Sequence, residues 1–568
     1  LWGKKNQFER KNPMKIALIS MEIIPGRPDL NAASMAERIR EAKDAHAELA
    51  LFPALSLSGL FLGSVWKQPS FVRDCTAYAE EIAAAADGIT VIFGNVAAGG
   101  EGCCGLSRTL LHARDGVLRE VARRPLHGAG TRFSPLLYEL PGEHVILAAD
   151  ASPFPLCFEA RTLAKTAQEQ RAVLLYVNVL GLQDKGKTVY TFAGSAQAFR
   201  ADGTRALITP AYKDGVTIVD TAALPAPADR PAEPAIAPIY RTLRYAVRKF
   251  LARIHMKCVV IGISGGIDSA VAAALYVDAI GAENVLLVNM PSKFNSATTK
   301  GLAAQLAKNL GCRHMIVPIE ESVSYTAKQL SELPIEGAAA APGEHLTISS
   351  FVRENMQARN RSGRVLGTIA AAWGAGFTCN GNKAETTVGY ATLYGDLAGF
   401  LCALADLWKY QVYDLARYLN EHVYGRETIP QGIIDIVPSA ELSDAQNVDE
   451  GKGDPIRYPY HDYLFRSFVE ADRNPEDILT HYADDDLEAY IGCEKGLVKT
   501  YFPTAEDFIA DLEHWWGIYR GMAVAKRIQS PPLLSVSGRA YGSDYPESQI
   551  GAYETIAYRA LKEKLLHK

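Results

Sequence analysis

A chain of 568 residues is too long for one compact unit and predicts two or three domains, each with a full hydrophobic core. Apolar residues at 48% and charged residues at 22% exclude a largely disordered chain, and 59 basic against 64 acidic residues, a formal charge of -5, exclude a surface built for nucleic acid. No run of about 18 apolar residues occurs, so no membrane span is expected. The nine cysteines are scattered, without CxxC or zinc-like spacing, and read as reduced thiols of a cytoplasmic protein. The opening LWGKKNQFERKNP is basic but lacks the apolar core of a signal peptide, so the folded unit is expected to start at Met14.

From Met14 the runs IALIS, LALF and ITVIFG alternate with helical stretches at 31–47 and 71–86, which is α/β order. SRTLLHARDGVLREV and TVYTFAGSAQAFRADGTRALI each break at an Asp-Gly and predict strand pairs joined by tight turns. VILAADASPF and AVLLYVN supply two more buried strands, and a first domain over 14–222 is expected. The stretch 223–239, with Pro225, Pro227, Pro231, Pro234 and Pro238, predicts a semi-stiff linker free of helix and ladder. A second domain over 240–550 opens with a basic helix. It continues as CVVIGI, SAVAAALYVDAI, NVLLVNM, GLAAQLAKNL and HMIVPI, the order of a doubly wound parallel sheet, and ends in helical additions.

Within it VVIGISGGIDSA places Gly262, Ser264, Gly265, Gly266, Asp268 and Ser269 between a strand and a helix. Two glycines allow a tight turn of successive amides, which with the helix N-terminus cradle phosphate oxygens. Ser264 and Ser269 add hydroxyls, and Asp268 has the hard oxygens that suit Mg2+. The pattern is not a Walker A loop, since no Gly-Lys-Ser/Thr follows four spacer residues.

The region resembles the ATP pyrophosphatase superfamily and, in detail, NAD+ synthetases. Besides GISGGIDSA it carries VNMPSKFNS, ENMQARNRS, NGNKAETTVGYATLYGDLAG, PSAEL and KRIQSPP in the family's order, over nearly all of 240–550. The resemblance implies ATP-dependent amidation of deamido-NAD+ through an adenylate, giving NAD+, AMP and pyrophosphate, with ATP, deamido-NAD+ and ammonia as substrates and Mg2+ as cofactor. It implies Asp268, Glu385, Asp396 and Lys409 as catalytic residues and Asp268 and Glu385 as metal ligands. Asn355, Arg359, Lys383 and Lys526 would contact dinucleotide or phosphates. On a helix Asn355 and Arg359 share a face better than either does with Gln357. Asn380 stands where the family usually has a Thr near ATP, and its amide retains donor and acceptor.

Residues 14–222 resemble the nitrilase-like glutaminase domain fused to many such synthetases, here shortened, on MKIALIS, LFPALSLSGL, DASPFP, LLYVNVLGLQDKG and TFAGSAQAFRADG. The family makes ammonia there from glutamine with a Glu-Lys-Cys set. In this chain the glutamate's position is Ala54, which cannot accept a proton, and the lysine's position falls on Arg123 or Arg124, a different hydrogen-bonding fork. The nucleophile's segment has no counterpart. Cys157 lies beyond the DASPF strand with no neighbouring lysine to activate it. Cys103 and Cys104, in a Gly-rich loop, and His127 read as loop residues. The expectation is an inactive glutaminase-like domain that stabilises a homo-oligomer, at least a dimer, and a synthetase fed by free ammonia. The alternatives are glutamine use through a cryptic or partner-supplied glutaminase, and a non-catalytic nucleotide-binding scaffold.

Overall fold

The computed structural model describes residues 14–99, 105–126, 134–155, 160–226, 233–545, 547–549 and 551–567. The chain divides into two compact units, Leu1–Lys185 with Val189–Glu233, and Gly186–Thr188 with Pro234–Lys568.

In the first unit β1 (Lys15–Ser20), α1 (Pro28–Asp44), β2 (Leu49–Leu51), α2 (Pro69–Ala85), β3 (Thr90–Ala98), β4 (Leu106–Arg114) and β5 (Val117–Pro125) follow in turn. β6 (Leu136–Leu140), β7 (Val145–Ala149), α3 (Ala160–Gln170), β8 (Val173–Val177), β9 (Leu180–Lys185) and β10 (Thr188–Ala193) come next. β11 (Gln197–Phe199), β12 (Arg205–Ile208) and β13 (Gly215–Asp220) complete it. One sheet runs β13-β1-β2-β3-β4-β5, with β1, β2 and β3 parallel and β13, β4 and β5 antiparallel at its margins. A second runs β12-β11-β8-β7-β6. The inner faces share one core, in which Ile16, Leu18, Leu51 and Phe93 of the first sheet meet Leu147, Leu175 and Val177 of the second. α1 and α2 cover the first sheet and α3 the second. Helices thus lie outside two packed sheets, the nitrilase-like α/β sandwich the resemblance implies. The β4–β5 turn is the expected Asp-Gly, with Asp115 at φ 49 and Gly116 at φ 77, the left-handed pair of a tight hairpin.

The second unit opens on α4 (Ile236–Arg253), which starts inside the stretch read as linker. Pro238 falls in its first turn, where the missing N–H has no helical partner to lose. Then come β14 (Val259–Gly262), α5 (Ile267–Ile280), β15 (Val285–Asn289), α6 (Ala297–Leu310), β16 (Arg313–Ile316), α7 (Glu320–Glu332) and α8 (Ser350–Arg359). A π-helical segment (Asn360–Leu366), α9 (Gly367–Trp373), β17 (Gly376–Phe377), α10 (Lys383–Val388), α11 (Lys409–Tyr418), α12 (Gln431–Asp435) and α13 (Tyr458–Glu470) follow. Further helices continue to Ile556–Leu566, past the expected limit at 550. The sheet is wholly parallel, in the order β16-β15-β14-β17. Val260, Leu286 and Val288 face a cluster with Val323, Val365, Leu366 and Ala370, and α5 packs against β14 and β15. The chain leaves β14 for β15 and returns to β17 on its other side, so the loop after β14 sits where the strand order reverses, the place where open α/β sheets bind ligands.

Among the described residues no helix is long and apolar enough to cross a membrane.

Candidate active site

The loop after β14 is shaped by its glycines. Gly265 has φ +92, and a Cβ there would lie 2.3 Å from the Thr299 carbonyl oxygen of α6, so only glycine fits. The Ser264 hydroxyl accepts from Gly266 N (3.2 Å) and lies 3.3 Å from the Ser269 hydroxyl, which donates to the Gly266 carbonyl (3.0 Å). Gly266 is the N-cap of α5, whose first turn carries Asp268. Gly265→Ala should lower stability by about 1–3 kcal/mol from the backbone conformation and collision together, measured by urea unfolding.

Asp268 is the hub. Lys409 Nζ donates to its Oδ2 at 2.5 Å and Asn382 Nδ2 to its Oδ1 at 3.0 Å. Lys409 also lies 3.6 Å from Glu385 Oε1 and 4.7 Å from the centre of the Tyr458 ring. Glu385 and Asn382 form a capping box at the start of α10: Asn382 Oδ1 accepts from Glu385 N (3.1 Å), and Glu385 Oε2 accepts from Asn382 N (3.3 Å). The Tyr458 hydroxyl donates to Glu385 Oε1 (3.3 Å), and the Tyr390 hydroxyl to Asp454 Oδ1 (3.0 Å). Burial, then the charges of Asp268 and Asp454, push the Glu385 carboxyl well above the carboxylate range despite Lys409. Burial opposes the charge on Lys409, but Asp268 and Glu385 outweigh it and hold the ammonium above its ordinary range.

Asp268, Lys409, Glu385, Tyr390 and Asp454 line one cleft of about 290 Å³, with Asn382 and Tyr458 behind them. It is lined by Gly262, Ser264, Gly266, Asp268 and Ser269 of the loop region, by the apolar Met290, Leu366, Phe377 and Leu397, and by the acids Glu441 and Asp454. Asp396 and Asn380 also line it. Asp396 accepts from Thr392 N at 2.6 Å, and burial raises its pKa. The amide of Asn380 is committed to the protein: Nδ2 donates to the Gly262 carbonyl (3.1 Å), and Oδ1 accepts from the Thr378 hydroxyl (2.9 Å). It ties β14 to the segment after β17.

Other residues singled out in the sequence lie around the cleft rather than in it. Asn355 accepts from the Thr392 hydroxyl (3.0 Å) and Arg359 Nε donates to the Leu393 carbonyl (3.1 Å), so the shared face of α8 clasps one turn. Gln357 turns away to the Leu442 carbonyl. Lys526 Nζ donates to the Gly389 carbonyl at 2.7 Å. Lys383 does not reach the cleft, which corrects the expected phosphate contact. Its fully buried ammonium is taken up by Asp406 Oδ1 (2.8 Å), Glu470 Oε1 (3.0 Å) and the Ser537 hydroxyl (2.8 Å). As the first residue of α10 its side chain points back, away from the face that carries Asn382 and Glu385. Sequence reasoning missed Asn382, Arg361, Glu441, Asp454, Tyr390 and Tyr458. The spacing Asn382 to Glu385 is a capping-box signature and was readable; the others converge only through the fold.

Asp268 and Glu385 fit a divalent cation as a pair of hard-oxygen ligands with excess negative charge around them. Among the described residues no three His, Cys, Asp or Glu side chains converge as a metal site, so phosphate oxygens and water would complete the shell.

In the first unit Ala54 follows β2 and is fully buried in the core. Its N–H donates to the Asp150 carbonyl (3.1 Å), and the next residue, Leu55, has φ 55. A Cβ on Gly94 of β3 would lie 2.4 Å from Ala54 Cα, so the two backbones touch. Arg123 is exposed on β5 and pairs with Glu120 at 2.7 Å, and Arg124 is exposed beside it. The described cysteine of this unit, Cys75, lies buried on α2, and burial pushes its thiol up to about 12. Cys103, Cys104, His127 and Cys157 lie outside the described residues.

The NAD synthase family matches residues 239–491. The glutamine-dependent NAD(+) synthetase of Rhodobacter capsulatus is 32% identical over 71% of this chain and 69% of its own length. That of Xylella fastidiosa (strain 9a5c) is 29% identical over 94% of this chain and 98% of its own. Among solved structures, a glutamine-dependent NAD(+) synthetase from Cytophaga hutchinsonii superposes with a TM-score of 0.75 at 15% identity, covering 98% of this chain and 100% of that one. One from Acinetobacter baumannii in complex with ADP gives 0.63 at 24%, covering 96% and 99%. At these identities the structural likeness speaks for the fold.

Proposed function

This chain belongs to the NAD(+) synthetase family, and on that premise we propose that it makes NAD+ by amidating deamido-NAD+ with free ammonia in the cleft after β14, as a cytoplasmic enzyme using ATP. The observation that carries the site is the convergence of Asp268, Lys409, Glu385 and Asn382 on the mouth of a glycine-turned loop.

A carboxylate is a poor acyl donor. In the proposed reaction the nicotinate carboxylate attacks the α-phosphorus of ATP, the bond to the bridging oxygen breaks, and pyrophosphate leaves with that electron pair. Ammonia then attacks the acyl carbon of the adenylate, AMP leaves, and one proton is released. The backbone amides of Ser264–Ser269 with the N-terminus of α5 would hold the departing pyrophosphate. Lys409, fixed between Asp268 and Glu385, offsets charge at the phosphates, and alignment in the cleft supplies much of the remaining rate. Asp268 and Glu385 would hold Mg2+, which when bound neutralises phosphate charge. Asn355, Arg359 and Lys526, gathered near the Thr392–Asp396 turn, would guide the dinucleotide. We keep a homo-oligomer in this reading, supported by apolar side chains on the outer edge of the sheet and beside it, with Ile316 61%, Tyr325 68% and Phe351 69% exposed.

The choice of ammonia rests on the first unit. The named relatives are glutamine-dependent, yet here the acid's position is a buried methyl group, the basic candidates Arg123 and Arg124 are exposed on a strand, and Cys75 sits in the core with a raised pKa. The test is NAD+ and AMP formation from deamido-NAD+ and Mg-ATP with ammonium or glutamine as donor. Ammonium at moderately alkaline pH, where more free base is present, should support turnover, and glutamine should give none above background. Equal glutamine-driven turnover would sink the proposed donor, and no turnover with either would favour a nucleotide-binding scaffold.

A further inference from the structure

Arg361 enters the cleft by an unusual route. It belongs to the π-helical segment between α8 and α9, in which hydrogen bonds join residues i and i+5 and residues five apart return to one face. Arg361 and Leu366, five apart, accordingly both line the cleft, with Ser362 beside them. In a regular α-helix they would be roughly 140° apart, and one would turn away.

Its guanidinium is held from behind. Nε donates to the Met290 carbonyl (3.1 Å), just past the end of β15, and Nη2 to Asn295 Oδ1 (3.2 Å). Asn295 is itself fixed by Glu441 (3.2 Å). Asp396 and Glu441 lend favourable charge, but among the described residues no carboxylate reaches Arg361 as an ion pair and Nη1 has no protein partner. Burial lowers its pKa to about 10. A guanidinium partly withdrawn from water is costly without an anion, and this one, half-buried, keeps a free edge in a cleft that the Ser264–Ser269 loop also lines. Met290, whose carbonyl takes Nε, also packs against the residue that leads into the loop: its methyl would lie 3.0 Å from a Cβ on Gly262.

We propose that Arg361 is an anion anchor of the cleft, binding phosphoryl oxygens of the nucleotide triphosphate in the space it shares with the Ser264–Ser269 loop. This rests on the reading of the cleft as an ATP site. Two sets of donors, the neutral loop amides and the charged guanidinium fork, would fix the chain of phosphates for in-line attack.

Calorimetric titration of wild type, Arg361→Gln and Arg361→Lys with Mg-ATP, adenosine and deamido-NAD+ tests it. Arg361→Gln should weaken Mg-ATP roughly 10–100-fold, the span of a lost charge-assisted contact, leave adenosine and deamido-NAD+ unchanged, and raise KM for ATP more than it lowers kcat. Arg361→Lys should recover part of the affinity and decides the matter if the glutamine variant fails to fold. Unchanged Mg-ATP affinity, equal losses for ATP and adenosine, or a loss confined to deamido-NAD+ would each overturn the anchor. A wild type that neither binds Mg-ATP nor forms NAD+ would count against the ATP reading itself, whereas a working wild type beside an unaltered variant removes only Arg361.

Discussion

Asp268→Ala should remove NAD+ formation, with a fall in kcat/KM of about 10³ or more, read as NAD+ and AMP released with ammonium as donor. Three dependencies fail together. The carboxylate fixes Lys409 at 2.5 Å, orients Asn382 at 3.0 Å, and in the proposed function is one of the two oxygen ligands for Mg2+. With it gone, Lys409 keeps only the longer contact to Glu385 at 3.6 Å, and the charge balance that held Glu385 high shifts. Asp268→Asn separates charge from shape. It preserves the volume at the mouth of the loop but neither neutralises Lys409 nor offers an anionic ligand, so it should be nearly as inactive; it also lowers stability, since Lys409 keeps only Glu385 as partner, and urea unfolding separates the two effects. A variant retaining a tenth of wild-type turnover would show that the hub is structural.

Lys383→Ala should be the most destabilising single change in the second unit, by about 3–5 kcal/mol, the range for removing one partner of a buried ion pair. The ammonium is fully buried, and Asp406, 1% exposed, would keep its charge with no cation beside it. Asp406 also accepts from Val536 N and Ser537 N, both at 2.7 Å, and from the Ser537 hydroxyl, so the fault would spread into the C-terminal segment. Urea unfolding measures the loss. Lys383→Met combined with Asp406→Asn should recover much of it, since exchanging both partners removes the orphaned charge. Unchanged stability of the single variant would mean that the cluster is not held as described.

The glycine-turned loop after β14 was legible because its signal is local: strand, two glycines, helix, with Asp268 in the first helical turn. The α/β order of both units was legible for the same reason, and Asp115-Gly116 named its hairpin outright. What escaped were features fixed by partners distant in sequence. Lys383 looked like a phosphate contact because it adjoins the residues of the cleft, but the direction of a side chain at the first turn of a helix is set by where Asp406 and Glu470 arrive. Asn380 keeps the hydrogen-bonding capacity expected of it, yet Gly262 and Thr378 consume it. Pro238, read as a helix breaker, falls at the one part of a helix that tolerates it. β17, two residues long, and the π-helical segment leave no periodic trace, because their geometry follows from packing on β14.

The close approach of Gly94 to Ala54 limits what position 54 can accept. A glutamate restored at position 54 would enter a dry, filled core next to a backbone contact that leaves no slack, and near Asp150, an acid that burial already holds above its ordinary range. An unpaired carboxylate there is costly; Arg123 lies out on an edge strand, and the buried Arg108 already shares its charge with Asp150. A glutamate at position 54 would therefore need accompanying substitutions around Gly94 and Asp150, so packing as well as charge opposes an acid there.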